Sequence, residues 1–108
     1  MKALEVLEHA KKIQIAKGND YQNKHSRVNQ ADYYPRGLST ILDTMLRKVL
    51  RMQSVLEGME YDKDYKPNFE SLEDSAIDLI NYSTFFVAYM HGELQGQDKD
   101  RDFLNRKK

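Results

Sequence analysis

The chain has 108 residues, 40% of them hydrophobic and 31% charged, a size that fits one small domain. Its seventeen basic and seventeen acidic side chains cancel, which removes the long-range positive field used by binders of duplex nucleic acid or anionic membranes. No cysteine is present, so disulfides, thiolate zinc sites and a cysteine nucleophile are excluded, and a reducing, cytoplasmic setting is expected.

The mean hydropathy of −0.79 is low, yet seven tyrosines and four phenylalanines can anchor a core. Lys2 and Glu5 interrupt the first apolar residues, and no stretch nears the length of a membrane span. We expect a single helical domain over residues 1–108, with its core within about 2–92 and a polar tail over 93–108. A domain of this size buries only about two-thirds of its unfolded surface, so helices that are apolar on more than one side would be completed by homo-oligomerisation.

The spacing predicts a first amphipathic helix from Lys2 to Lys17, with Ala3, Val6, Leu7, Ala10 and Ile13 on one stripe and Gly18 as a left-handed cap. Residues 18–37 mix Gly, Asn, Asp, Ser and aromatics without a period, and read as an ordered loop with at most one turn of helix. Within it, Lys17, Asp20 and Tyr21 bring a cation, an acid and an aromatic ring close together, a place where a base can stack.

A second helix is expected from the Ser39 cap to about Glu57, stopped by Gly58. Leu42, Met45, Leu46, Val49, Met52 and Leu56 form a broad apolar face expected to be buried. Thr44, Lys48, Arg51 and Val55 stack on another arc as a short basic stripe.

After a polar connector over 59–67, Asn68 or Ser71 can cap a third helix expected from about Phe69 to Gly92, Ser71 and Asp74 matching a capping box. Its second half, Leu79 to Met90, is apolar almost all round and predicts a central helix. Its first half is different. Glu70, Asp74 and Asp78 at i, i+4 and i+8, with Asn81 a turn beyond, line one face, and like charges at this spacing repel by a few tenths of a kcal/mol per pair. Two cation sources can offset that: a Mg²⁺ ion, or Lys48 and Arg51 of the second helix. Beyond Gly92 only Phe103 and Leu104 are equipped to dock the tail. His9, His25 and His91 have no zinc-site spacing, and neither a phosphate-binding glycine loop nor a nucleophile with its base appears. The class is all-α, a small bundle of three main helices.

Lys17, Asp20 and Tyr21, the run Arg47, Lys48, Arg51 and Ser54, and the helix Glu70-Ser71-x-x-Asp74-x-x-x-Asp78-Leu79-Ile80-Asn81-Tyr82 together resemble the nucleotide-modification-associated domain 1 family over roughly residues 10–92. That family is mostly phage and bacterial and is similar to the MazG-like all-α nucleotide pyrophosphohydrolases. The resemblance implies an oligomeric helical protein that handles nucleotides, with Glu70, Asp74, Asp78 and Asn81 at the family's acidic helix. A MazG-like hydrolase also carries an E-x-x-E pair on the preceding helix. This chain departs there, offering Asp43 and Glu57 with Lys48 and Arg51 between them.

The leading expectation is therefore a phage-type protein, acting in the bacterial host cytoplasm, that binds and sequesters a phosphorylated nucleotide or nucleotide-derived immune signal between its second and third helices. Lys17, Lys48 and Arg51 would hold phosphate, Asp74, Asp78 and Asn81 base or ribose edges, and Tyr21 or Tyr82 would stack, with Asp20 nearby and no cofactor. One alternative is a Mg²⁺-dependent pyrophosphohydrolase with the metal on Glu70, Glu73, Asp74 and Asp78. The other is a non-catalytic helical interaction module whose polar stripe sets pairing register.

Overall fold

A computed structural model describes residues 1–97. Three helices, α1 (Ala3–Tyr21), α2 (Leu38–Tyr61) and α3 (Leu72–Met90), build an all-α bundle, with a short 3-10 helix, Gln30–Tyr33, between α1 and α2. No strand occurs among the described residues, and none of their helices is long and apolar enough to cross a membrane. The body is elongated, 51 × 29 × 25 Å. Helix α3 is central as the sequence predicts, packed against both α2 and α1. Phe103 and Leu104 lie outside the described residues.

The boundaries predicted at Gly18, Ser39 and Gly58 all move. Helix α1 runs through Gly18 to Tyr21 and ends where the Gln22 N–H donates to the Gly18 carbonyl. Its last turn survives because tertiary contacts hold it: Lys17 bonds Asp78 on α3, and Tyr33 packs edge-on against Tyr21 while donating to its carbonyl. The N-cap of α2 is Gly37 rather than Ser39, with φ of 63°. A side chain is excluded there twice over, since a Cβ would lie 2.6 Å from the Tyr89 hydroxyl. Gly58 sits inside α2, under the Tyr65 ring, and the helix continues to Tyr61. At α3 the capping box forms as predicted, Ser71 Oγ accepting from the Asp74 N–H and Asp74 Oδ2 from the Ser71 N–H.

The core is small. Tyr34, Ile41 and Leu94 form its buried centre, surrounded by Met45, Tyr82, Phe85, Phe86 and Tyr89. Leu94 belongs to the segment predicted as a solvated tail. Instead, the chain after α3 folds back: Gln95 accepts from the Ala31 N–H and the Gln97 amide donates to the Tyr89 carbonyl. One buried leucine and these bonds suffice to dock residues 93–97.

The largest correction concerns α2. Leu42, Leu46, Val49 and Leu56, expected to be buried, are 57%, 55%, 45% and 47% exposed. Its inward side carries Ile41, Thr44, Lys48 and Val55. Among the described elements α3 is the neighbour that packs extensively on α2, so one side of α2 is covered and the leucine side faces out. On α3 the buried residues are Ser75, Ile77 and Asn81, while Val87 and Met90 of the predicted apolar face are exposed.

Candidate functional site

The end of α1, the middle of α2 and the start of α3 meet in a line of alternating charges. Asp78 receives Lys17 Nζ at 2.8 Å on Oδ1 and Lys48 Nζ at 3.0 Å on Oδ2. Lys48 also reaches Glu70 Oε1 at 2.8 Å, and Arg51 donates to the Glu70 carbonyl at 2.7 Å beside the Glu70 carboxylate. Glu70 precedes the Ser71 cap instead of continuing the helical stripe of Asp74 and Asp78, and the Glu70 and Asp78 carboxylates are met by cations from the two other helices.

The protonation states follow from this geometry. Burial pushes the Asp78 carboxyl up, but hydrogen bonds from Lys17 and Lys48 outweigh it and hold the group below the ordinary carboxylate range. For Lys17 and Lys48 desolvation works against the charge, while the hydrogen bonds to Asp78 and Glu70 prevail and raise both above the usual lysine value. Lys17, Lys48 and Asp78 are therefore all charged at neutral pH.

Beside this network lies a cavity of about 400 Å³, within the size range of small-molecule sites. Lys17, Lys48 and Asp78 form its charged wall. Tyr21, Tyr33, Tyr34, Tyr82 and Phe85 supply aromatic walls, and Gln14, Gln30, Thr44 and Asn81 hydrogen-bonding groups. Tyr34, Tyr82 and Phe85 pack on one another with centroids 6.0–6.5 Å apart, and the Tyr34 hydroxyl accepts from the Gln30 amide. Burial pushes the pKa of the Tyr34 and Tyr82 phenols up, so both stay protonated.

Of the residues singled out from sequence, Lys17, Tyr21, Lys48, Asp78, Asn81 and Tyr82 line this cavity together. Asn81 is also a clamp, its Nδ2 donating to the Ala10 carbonyl and its Oδ1 accepting from Gln14. Arg51 stands behind Lys48 and holds Glu70. Asp74 is exposed and engaged in the capping box, which together with the Ser71 hydroxyl keeps its carboxyl low. Asp20 and Glu73 are exposed. For a Mg²⁺ ion, Glu70 and Asp78 are the two carboxylates brought together, and the Lys48 ammonium already bridges them. No group of three or more metal-type ligands forms among the described residues.

Sequence reasoning missed Gln14, Gly18, Gln30, Tyr33, Tyr34, Thr44 and Phe85. A signal existed for two of them: Gln14, Lys17, Gly18 and Tyr21 fall at i, i+3, i+4 and i+7, one stripe of α1 that carries no aliphatic residue. Gly18 is notable because interior helical glycine costs about 1 kcal/mol relative to alanine, and here a Cβ would meet only Gln22 Oε1, at an ordinary 3.5 Å. Protein packing does not require that glycine, and it lines the cavity.

The chain matches no family model, no curated protein and no solved structure among those compared. The chemistry of the site therefore rests on its geometry: two lysines at one wall of an aromatic pocket, suited to an anion attached to a planar ring.

Proposed function

We propose that this protein binds a phosphorylated nucleotide in the cavity between α1, α2 and α3 and holds it without turnover. The observation that carries the reading is the pair Lys17 and Lys48, joined on Asp78, at the wall of a tyrosine-lined pocket. Lys17 is 47% exposed in its side chain and free to follow an incoming ligand, whereas Lys48, at 19%, is fixed. Phosphate oxygens would take the lysine protons now shared with Asp78, as charge-assisted hydrogen bonds. The base would lie among Tyr21, Tyr33, Tyr82 and Phe85, whose rings offer both faces and edges.

If the resemblance of the sequence motifs holds, such binding would serve in a bacterial cytoplasm during phage infection, where tight binding without chemistry would sequester a nucleotide signal. The exposed leucine face of α2 supports a homo-oligomer, because patches of this kind on a small soluble chain mark protein contacts. Light scattering on the purified protein reads that directly.

The test is to incubate purified protein with a nucleotide panel, with and without Mg²⁺, and to analyse both the bound fraction and the solution by mass spectrometry. Intact nucleotide released on denaturation supports the reading. Conversion of a triphosphate to monophosphate and pyrophosphate, blocked by EDTA and by Asp78→Ala, would replace it with Mg²⁺-dependent hydrolysis. No retention and no conversion would leave the polar stripe as a register device for helix pairing.

A further inference from the structure

The site does not end at the tyrosine-lined cavity. A second cavity of about 300 Å³ shares Gln14, Gly18, Gln30 and Phe85 with it and is lined further by Gln22, Thr84 and Gln95. The lysines line the first cavity but not this one, so the combined groove runs from a charged wall, through aromatic rings, to an uncharged end rich in amides.

The amides at that end have fixed roles. Gln14 Nε2 donates to both Asn81 Oδ1 and Thr84 Oγ1, which engages its two hydrogens and leaves Oε1 as its remaining acceptor. Gln30 Nε2 donates to the Tyr34 hydroxyl, again leaving Oε1. Gln22 is the converse, since its Nε2 is sealed from solvent and has no hydrogen-bond partner. A buried amide donor without a partner carries a desolvation penalty that a ligand acceptor would relieve. Its Oε1 lies beside Gly18, where the missing side chain opens the wall of both cavities.

Resting on the nucleotide reading above, we infer that the amides of Gln14, Gln22 and Gln30 read the edge of a 6-aminopurine, with the phosphate on Lys17 and Lys48 and the ring among the tyrosines. Adenine presents an exocyclic amino donor next to a ring-nitrogen acceptor, the pattern that a glutamine amide matches with two hydrogen bonds. The two Oε1 acceptors suit the amino group, and the Gln22 Nε2, sealed in the empty groove, suits the ring nitrogen once its side chain turns toward the ligand. A 6-oxopurine reverses that pattern: it places an acceptor against the Oε1 atoms and a ring N–H against the Gln22 donor, leaving buried groups unpaired. Gly18 is the point where the ring passes close to backbone.

The experiment is calorimetric titration of AMP and IMP, which differ at the 6-position group and its neighbouring ring nitrogen, into the full chain and its Gln22→Leu and Gly18→Ala variants, with thermal melts of each. AMP binding at least about tenfold tighter than IMP is expected, with the gap narrowed to about twofold or less in Gln22→Leu. Gly18→Ala should melt higher than the parent yet bind AMP at least about tenfold more weakly, a combination that a purely structural glycine does not produce. Equal affinity for AMP and IMP, or a preference for IMP, in the parent protein overturns the edge reading while the nucleotide site stands. Binding of neither, together with no other retained nucleotide, takes both down. The AMP-to-IMP ratio of the parent decides the point even where Gln22→Leu fails to fold.

Discussion

The two long sides of α2 reverse the usual order, with the charges turned inward and the leucines outward. Lys48 and Arg51 face Asp78 on α3 and Glu70 just before its Ser71 cap, two carboxylates in need of a counter-charge. Leu42, Leu46, Val49 and Leu56 face away. The apolar side offers more transfer energy, so the orientation is set by the neighbour: the first half of α3 presents carboxylates that would be stranded against leucine. Burial in so small a bundle follows complementarity between neighbours, and the surplus apolar face is left exposed.

The sharpest break between the two sides is a matched pair of truncations. Ile41, fully buried on the inward side, should cost about 2–5 kcal/mol as Ile41→Ala. Leu46→Ala on the outward side should change chemical denaturation of the monomer by about 0.5 kcal/mol or less, while shifting any oligomer seen by light scattering. Next in size is Asp78→Ala, which takes the carboxylate from Lys17 and leaves Lys48 with Glu70, and should cost about 1–3 kcal/mol in urea unfolding. Replacing both partners, Lys48→Met with Asp78→Leu, should recover most of that stability and lose nucleotide binding, separating the structural use of the pair from its chemical one.

The pH profile sharpens the same contrast. Asp78 is held below its ordinary value, so its contribution is present above an unfolded pKa of about 4 and is lost as pH falls through the folded one. Asp74, kept low by Ser71, adds to that acid limb. Lys17 and Lys48 are raised, so their contribution is present below an unfolded pKa of about 10.4 and is lost as pH rises through the folded values. Denaturant midpoints should therefore form a plateau between these limits, and Asp78→Asn should flatten its acid edge. The smallest effect is at the cap: Ser71→Ala should cost about 1 kcal/mol and leave nucleotide affinity unchanged, since Asp74 acts there as part of a helix start.

Much of this was legible in the sequence, for reasons that also mark where it stopped. Helical periodicity and the Ser71–Asp74 box are local signals, and they located α3 and its beginning. The partnership of Lys48 with an acid on α3 was legible as a cation stripe facing an anion stripe. Gly18 and Gly58 misled, because tertiary contacts decide whether a glycine ends a helix or makes room for a ring. Leu94 and Tyr34 were illegible as core, each an isolated apolar residue in polar surroundings whose burial depends on a long-range return of the chain. The amide end of the groove left almost no trace, as glutamine has neither charge nor period and gains meaning from what its Nε2 is already bonded to.

The central claim is that Lys17 and Lys48 make the aromatic cavity a phosphate-bearing site. It is tested most directly by titrating AMP and unphosphorylated adenosine into the parent protein and the Lys17→Met variant at two salt concentrations. The account predicts that the parent binds AMP well above adenosine, with an affinity that falls as salt rises, and that Lys17→Met removes most of both the preference and the salt dependence while melting within a few degrees of the parent. Equal binding of AMP and adenosine by the parent would contradict it.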